Sequence, residues 1–205
     1  MKKIMFLLSF SMIFFNASYS QKIQSVEIGD TFPMSHINYP MKSVNGKDYS
    51  ISQHLNKNGL ILIFTSNSCP FVVAWEDRYQ RIEDLSQKYN LEMLYINSNH
   101  NRREGLDSYK AMQSHHKKMG YTFNYLLDER SELANILGAK TTPHVFMFDK
   151  SSKLVYKGAI DDNYKSATEV KNFYLENAII SLSAGKKIEV SKTEAIGCSI
   201  KRYIP

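Results

Sequence analysis

The stretch FTSNSCPFVVAWEDRY, residues 64–79, decides the local frame of the fold, because around one cysteine it changes from the period of a buried strand to that of a helix. The run GLILIFTS, residues 59–66, is apolar throughout most of its length, which is typical of a central strand covered on both faces. After Pro70, apolar side chains recur at three- and four-residue steps, which predicts an amphipathic helix. These side chains are Trp75, Tyr79, Ile82, Leu85 and Tyr89. Cys69 therefore lies where a buried strand ends and a helix begins.

Cys69 is placed where a thiolate would be stabilised. The first turn of a helix presents unpaired N–H groups and the positive end of the helix dipole, and a cysteine there can have its pKa lowered from ~8.5 to roughly 3.5–7.5. Pro70 fits the first helical position because it has no N–H group to leave unpaired. The pattern predicts a nucleophilic thiol, and the alternative is a buried, inert cysteine.

The first twenty residues have the pattern of a secretory signal peptide. Lys2 and Lys3 form a basic start, residues 4–15 are almost all apolar, and Ser18 and Ser20 stand at small positions suited to cleavage. The apolar run is short for a membrane span, although an uncleaved N-terminal anchor is the alternative. We therefore expect an exported protein, periplasmic or secreted, that meets an oxidising compartment.

The charge pattern argues against a nucleic-acid partner. The formal net charge is +6, and removal of the two basic residues in the signal peptide leaves +4. The remaining basic residues are scattered, without a stripe interleaved with aromatic side chains. A mildly basic, solvated surface is the simpler interpretation, and the remaining length suits one domain with a sizeable core.

The rest of the chain predicts alternating strands and helices. Asn45-Gly46 is a hairpin turn between extended segments, and residues 91–99 form a strand that closes a right-handed β-α-β unit. Ser166 and Glu169 have the spacing of a capping box at the start of a last helix. The further elements, in order, are an amphipathic helix (106–120), a short helix (131–138), a β-hairpin (144–160) and the last helix (166–185).

This order of elements predicts a three-layer α/β/α sandwich with a mixed central sheet and an N-terminal β-hairpin extension. We assign residues 1–20 to the signal peptide and residues 21–185 to the domain. A tail, residues 186–205, has no clear period and carries Cys198.

Six pieces of the sequence resemble the peroxiredoxin-like branch of the thioredoxin superfamily, also described as redoxin-domain or alkyl hydroperoxide reductase/thiol-specific antioxidant-like proteins. In chain order they are SNSCPFVVAWEDRY, YINSN, FNYLLDE, TTPHVFMFD, LVYKGAIDDN and GCSIK. The resemblance implies a thioredoxin fold and an oxidoreductase in which Cys69 is the reactive cysteine. It also implies that Thr142-Pro143 forms a cis peptide bond beside that thiol and shapes the substrate groove.

The sequence departs from its relatives beside the reactive cysteine. In CPFV, Val72 stands where thioredoxin has its second cysteine, so a dithiol within this helix is not expected. In the peroxiredoxin pattern PxxxTxxC, Leu62 replaces the proline and Ser66 the threonine. Ser66 keeps a hydroxyl, which we expect to hydrogen-bond the thiolate or a peroxide. The position of thioredoxin's buried acid is occupied by Ile63.

Cys198 is the second cysteine, and the sequence leaves its role open. The resemblance implies a resolving thiol or a structural partner. If the tail folds back over the helix, a sulfenic acid at Cys69 would condense with Cys198 into a disulfide. The alternatives are a permanent structural disulfide and a tail cysteine that never meets Cys69.

The expected function is that of a thiol peroxidase or thiol–disulfide oxidoreductase without an organic cofactor or metal. Its substrate would be a peroxide or a protein disulfide, and its reductant an external thiol or a thioredoxin-like protein. Two other functions are a non-catalytic binding module and a copper carrier using Cys69 and His144, although one cysteine and one histidine make a poor metal site. Arg78 is expected to form a surface salt bridge.

Overall fold

The computed structural model describes residues 25–55 and 57–204, and the predicted signal peptide lies outside them. A seven-stranded sheet with the order β2-β1-β5-β4-β3-β7-β8 forms the centre, and β6 and β9 form a separate pair. The strands are β1 (Met41–Ser43), β2 (Asp48–Tyr49), β3 (Gly59–Thr65), β4 (Glu92–Asn97), β5 (Asn124–Leu127), β6 (Thr141–Thr142), β7 (His144–Asp149), β8 (Leu154–Gly158) and β9 (Cys198–Ser199). The helices are α1 (Pro70–Lys88), α2 (Tyr109–Met119), α3 (Glu132–Leu137) and α4 (Tyr174–Ser183).

The sheet is mixed, as the sequence predicts. β3, β4 and β5 run parallel, whereas β7 pairs antiparallel with both β3 and β8. The predicted N-terminal hairpin is the antiparallel pair β1–β2, and Gly46 takes the positive φ of 88° that its turn requires. This hairpin joins the sheet through β5, a strand that the hydrophobic period does not predict.

The two faces of the sheet bury two separate apolar cores, because successive side chains of a strand point to opposite faces. In β3, Ile61 and Ile63 pack in the core that contains the buried side of α1 and part of α4. Leu60, Leu62 and Phe64 pack in the other core, against α3 and the N-terminal segment. Every residue of β3 is buried, so the apolar run ending before Cys69 is a central strand and a rigid mount for the cysteine and its helix.

The start of α4 differs from the prediction. Ser166 begins only a short 3-10 turn and makes no capping hydrogen bond, and α4 begins at Tyr174. The physical reason is a competing acceptor, since the Asp162 carboxylate accepts hydrogen bonds from the backbone N–H groups of Lys171 and Asn172. These bonds hold the intervening segment in a loop, and the helix starts only after it.

The tail folds back onto the domain. β9, which contains Cys198, pairs antiparallel with β6, and Lys157 and Lys192 form an isolated bridge. The tail therefore lies beside the segment that leads into β7, the neighbour of β3 in the sheet. None of the helices within residues 25–55 and 57–204 is long and apolar enough to cross a membrane.

Candidate active site

Cys69 is the N-cap residue of α1, and Pro70 is the first helical residue. The strand β3 ends at Thr65, so a loop of three residues separates the sheet from the cysteine. The side chain is nearly closed off from solvent, with 4% exposed. Its thiol donates a hydrogen bond of 3.0 Å to the carbonyl oxygen of Thr142. The sequence position and the structure thus agree on a thiol held at a helix start.

Thr142 precedes a cis peptide bond to Pro143, as the resemblance implied. Its carbonyl oxygen accepts the hydrogen bond from the Cys69 thiol, and its side chain is near enough to lower the pKa of Cys69. The Thr142 hydroxyl is buried and has no hydrogen-bond partner among the described residues. A buried hydroxyl without a partner is unfavourable, so this group is available to a charged or polar species that forms beside it.

The structure brings Cys198 to the same place. Thr142 and Cys198 are opposite each other in the β6–β9 pair, and both cysteines are free thiols. Cys198 packs against the buried cluster that contains Cys69, and it is one of the groups that lower the pKa of Cys69. The structure thus places Cys198 beside the Cys69 site, and the reaction of the two cysteines with each other stays a prediction.

The two thiols have pKa values displaced in opposite directions. Burial acts to raise the pKa of Cys69, but the nearby donors of Cys198, the Thr142 side chain and the Val72 N–H group favour the thiolate, outweigh burial and lower the pKa below its ordinary value. In the thiol form the Cys69 proton is directed to the Thr142 carbonyl, and the sulfur accepts no capping hydrogen bond in the described structure. Burial and the neighbouring Cys69 raise the pKa of Cys198 to about 11. Cys69 is thus the sulfur that ionises first.

Ser66 faces a buried carboxylate. Its hydroxyl lies 3.2 Å from both oxygens of Asp107 and accepts a hydrogen bond from the N–H group of Ser68. A serine hydroxyl has a single proton to donate, and here it donates a hydrogen bond to the Asp107 carboxylate. No hydrogen bond joins Ser66 to Cys69 in the described part of the chain. The expected direct contact with the thiolate is therefore not what this arrangement provides.

Asp107 is the site residue that the sequence patterns did not indicate. It is fully buried, and besides Ser66 it accepts hydrogen bonds from the backbone of Asn67 and from the side chains of Asn97 and Asn99. One carboxylate therefore holds both the loop before Cys69 and the carboxyl end of β4. The signal that was available is the polar sequence NSN at the end of β4, directly beside the end of the parallel strand β3.

The same network reaches the tail beyond Cys198. The Asn99 side-chain oxygen accepts a hydrogen bond of 2.9 Å from the N–H group of Lys201, and the Lys201 carbonyl accepts one from Asn101. At the end of the β6–β9 pair, the N–H group of Ile200 donates a hydrogen bond to the carbonyl of Lys140. The tail is thus fixed just after Cys198 by contacts that originate around Asp107 and β6.

Gly197 allows the tail to approach Thr142 closely. A β-carbon at Gly197 would overlap the Thr142 carbonyl group, which is part of the backbone and has little freedom to move. The requirement for glycine here comes from close approach and not from an unusual backbone conformation. This approach places Cys198 against the residue that also contacts Cys69.

Arg78 pairs with the exposed Asp77, as a surface salt bridge would, but it also pairs with the buried Asp161. It is buried, with 3% of the residue exposed, and its Nε donates to the Asp161 carboxylate at 3.2 Å. The other Asp161 oxygen accepts a hydrogen bond of 2.7 Å from the indole N–H of Trp75. The turn after β8 thereby anchors α1, and through α1 it supports the position of Cys69.

His144 lies two residues after Thr142, but within residues 25–55 and 57–204 its ring makes no hydrogen bond to either thiol. Its Nδ1 accepts a hydrogen bond of 3.2 Å from the N–H group of Lys140, and it lines a cavity to which neither cysteine contributes. Across residues 25–55 and 57–204, no group of three or more His, Cys, Asp or Glu side chains is arranged to hold a metal ion.

Comparison with known proteins supports this description. A family model described as Redoxin matches residues 27–174, a span that includes Cys69 and Thr142-Pro143 and ends before Cys198. Among curated proteins, no sequence is significantly similar to the chain.

Two solved structures resemble most of the chain. The hypothetical protein SMc02350 from Sinorhizobium meliloti 1021 is 26% identical with a TM-score of 0.79, covering 89% of this chain and 98% of that chain. An uncharacterized conserved protein from Geobacillus kaustophilus is 26% identical with a TM-score of 0.76, covering 87% of this chain and 93% of that chain. The peroxidoxin BcpB from Mycobacterium tuberculosis is 14% identical with a TM-score of 0.58, covering 77% and 96% of the two chains, and this likeness confirms the predicted fold alone.

Proposed function

The chain belongs to the Redoxin family and is a thiol-dependent oxidoreductase, and from this premise we propose that Cys69 is its nucleophile and that Cys198 resolves the oxidised Cys69. The observation that carries the proposal is the shared contact with Thr142. The Cys69 thiol donates to the Thr142 carbonyl, and Cys198 is the strand partner of the same residue. Two thiols on one short backbone segment are suited to consecutive steps of one reaction.

With a peroxide, the Cys69 thiolate attacks the O–O bond, takes one oxygen and becomes a sulfenic acid. The second oxygen leaves with a proton from solvent as an alcohol or water. The Cys198 thiol then attacks the sulfenic sulfur, water leaves, and a Cys69–Cys198 disulfide forms. Two external thiol groups, from a small thiol or a thioredoxin-like protein, return both cysteines to the reduced state and become a disulfide themselves.

With a protein disulfide as substrate, the first product is a mixed disulfide at Cys69, and one substrate thiol is released. Cys198 then displaces the second substrate thiol and forms the same intramolecular disulfide. The lower pKa of Cys69 supports its role as the first nucleophile in both reactions, because the thiolate is the reactive form.

The residues around the thiols take distinct roles in this proposal. The buried Thr142 hydroxyl donates to the Cys69 thiolate or to the peroxide, since it has no other acceptor in the described residues. Pro143, together with Thr142, shapes the substrate groove, a role that the family resemblance implies. Ser66 acts through Asp107 by holding the loop before Cys69, and so supports the thiolate indirectly.

We also propose that the protein is exported. The basic start and the apolar run of residues 4–15 support a signal peptide removed near residue 20. The test is the N-terminal sequence of protein recovered from the periplasm or the medium. Recovery of the full-length chain only in the cytoplasm would contradict export and would leave the thiol chemistry untouched.

The central experiment adds one equivalent of hydrogen peroxide to the reduced protein in three forms: wild type, Cys198→Ser and Cys69→Ser. Intact mass is followed against time, and a model protein disulfide replaces peroxide in a parallel series. We expect a rapid intramolecular disulfide in the wild type, a sulfenic acid in Cys198→Ser and no reaction of comparable rate in Cys69→Ser.

The outcomes separate the alternatives. Thiols that ignore peroxide but exchange with the protein disulfide would assign the protein to disulfide chemistry. Thiols inert to both reagents would contradict a catalytic role for Cys69 and would favour a binding module. Metal that co-purifies in stoichiometric amount would favour metal transport.

A further inference from the structure

A cavity of about 590 Å³ lies between the N-terminal segment, β6 and the tail. We call it the His144 cavity. Its volume is within the range of pockets that hold small molecules. The side chains relevant to its chemistry are Glu27, Lys140, His144, Lys157, Lys192 and Glu194. Cys69 and Cys198 do not line it, so it is separate from the candidate active site.

His144 presents a hydrogen-bond donor in this cavity. The residue is 8% exposed, and its Nδ1 accepts a hydrogen bond from the backbone N–H group of Lys140. A ring nitrogen that accepts a hydrogen bond carries no proton, so the proton of the neutral ring is on Nε2. Nε2 makes no hydrogen bond within residues 25–55 and 57–204. Burial, Lys157 and Lys140 lower the pKa of His144 to about 3, so the ring remains neutral, with a fixed donor, near pH 7.

The charges around the cavity favour an anion. The Lys157 and Lys192 ammonium groups share the single carboxylate of Glu27, at 2.8 and 2.7 Å from its two oxygens. Lys140 forms no ion pair in the described part of the chain. Glu194, on the exposed rim, is the other acid that lines the cavity. The three lysines and two glutamates that line the cavity leave a net positive charge beside the neutral N–H donor of His144.

We propose that the His144 cavity binds the oxyanion group of a small molecule, a carboxylate or a phosphate, through the Nε2–H donor of His144 and the ammonium group of Lys140. An oxyanion supplies the acceptor that a donor-only imidazole lacks, and it compensates the excess charge. A ligand with a positive group or with donors alone would leave both features unsatisfied.

Occupancy of the cavity would join parts of the chain that are distant in sequence. Thr141 in β6 and Thr193 in the tail both line the cavity. A bound molecule therefore contacts the part of the tail that precedes Cys198 in the sequence. Binding should therefore slow amide hydrogen exchange in the tail around Thr193 and Ala195, in addition to perturbing His144.

The experiment titrates the protein with sodium acetate or inorganic phosphate at constant ionic strength, with neutral acetamide as the control for non-specific effects. The readouts are the ¹⁵N resonances of the His144 ring and hydrogen exchange in the tail. Saturable binding of one anion and not of acetamide is expected, and the preferred anion distinguishes a carboxylate ligand from a phosphate ligand.

Two variants and one matched control make the test specific. Lys140→Gln removes a positive charge, and His144→Phe removes the Nε2–H donor. Each should weaken binding of the anion by at least about tenfold, because charge-assisted hydrogen bonds are the strong ones. Lys150→Gln, an exposed lysine in the turn between β7 and β8, should bind as the wild type does.

Absence of saturable perturbation with either anion, or equal affinity in Lys140→Gln and the wild type, would overturn the proposal. Lys140 is exposed, so its replacement tests the site even if His144→Phe folds poorly. Cys69→Ser should retain binding, which keeps this result independent of the thiol chemistry.

Discussion

Cys69 and Cys198 meet at Thr142, but the regions that carry them are held in place in different ways. Cys69 lies between a fully buried central strand and a helix of 19 residues, so its position arises from contiguous sequence. Cys198 lies in a two-residue strand within a tail that has no helix in its described part, residues 186–204. Separate contacts at Thr193, Gly197 and Lys201 hold that tail. The position of Cys69 is therefore fixed by residues near it in sequence, and that of Cys198 is fixed by long-range contacts.

Cys69→Ser tests the difference between the two cysteines and is expected to have the largest effect on the reaction rate. The variant should lose rapid reaction with peroxide and with thiol reagents near neutral pH by orders of magnitude, because the remaining Cys198 is poorly ionised. Part of the raised pKa of Cys198, about 11, comes from Cys69 itself, so the pKa of Cys198 should fall in the variant. Alkylation rates measured against pH, in wild type and variant, check both statements.

Cys198→Ser is the matched control for that measurement. It should retain the first reaction at Cys69, and the pKa of Cys69 should stay low, because the serine hydroxyl replaces the Cys198 thiol as a hydrogen-bond donor. If Cys69→Ser reacted as fast as the wild type, Cys198 would be the nucleophile, and the comparison between the two regions would be reversed.

Gly197→Ala should break the tail contact and leave the region of Cys69 intact. The added methyl group would overlap the Thr142 carbonyl, and the tail is the part that can move. Disulfide formation after peroxide addition should slow by at least about tenfold, since a misplacement of ~1 Å can cost ~10²-fold in rate. The sulfenic acid should accumulate by mass while its own rate of formation stays unchanged.

Gly105→Ala is the control for Gly197→Ala, because the closest atom to its added β-carbon is at 3.9 Å, which is ordinary contact. Equal rates of disulfide formation in both variants would show that the tail does not need its close approach to Thr142. Resolution by Cys198 would then depend on motion of the tail and not on its position in the structure.

The same division explains what the sequence could predict. The strand, Cys69, Pro70 and α1 were predictable because hydrophobic period and helix-start chemistry are local properties. The start of α4 was not, because the spacing of Ser166 and Glu169 satisfies a local rule while Asp162 imposes a different loop. β5 was missed because a strand of four residues between polar segments has little periodicity to detect.

The long-range contacts of the site are indicated even less clearly by the sequence than β5 and the start of α4. Asp107 is a single acid in an irregular segment, and only the fold shows that its carboxylate meets Ser66 and Asn99. Arg78 is a charged residue on an amphipathic helix, which favours an exposed position, and its buried partner Asp161 is distant in sequence. Pairing of Cys198 with Thr142 likewise depends on where the tail packs, and a tail without a period gives no indication of that.

Asp107→Asn affects both regions together and should therefore sharpen the comparison. The substitution keeps the shape but replaces one acceptor oxygen with a donor that faces the N–H group of Asn67 or the side-chain amides of Asn97 and Asn99. We expect the free energy of unfolding to fall by about 1–3 kcal/mol, the cost of an unsatisfied buried polar group. Urea unfolding at neutral pH measures it.

Asp84→Asn serves as the control for Asp107→Asn, because Asp84 is exposed on α1 and bonds only to Gln80 among the described residues. Its stability should change by less than about 0.5 kcal/mol. If Asp107→Asn were equally mild, the polar network would not be what fixes the loop before Cys69 and the end of the tail.

Thr142→Val gives the smallest expected change and separates chemistry from stability at the point where the two regions meet. Valine keeps the shape and the backbone contacts of Thr142, and it removes a buried hydroxyl that has no partner in the thiol form of the described structure. Stability should therefore stay constant or rise slightly.

The pKa of Cys69 should rise in Thr142→Val, because the Thr142 hydroxyl is one of the groups that lower it. Since the thiolate is the reactive form, alkylation and peroxide reduction should slow at neutral pH and recover as the pH rises above the new pKa. A variant that lost stability but kept the wild-type pH profile would assign the hydroxyl to packing, and stabilisation of the thiolate would then rest on Cys198 and the start of α1 alone.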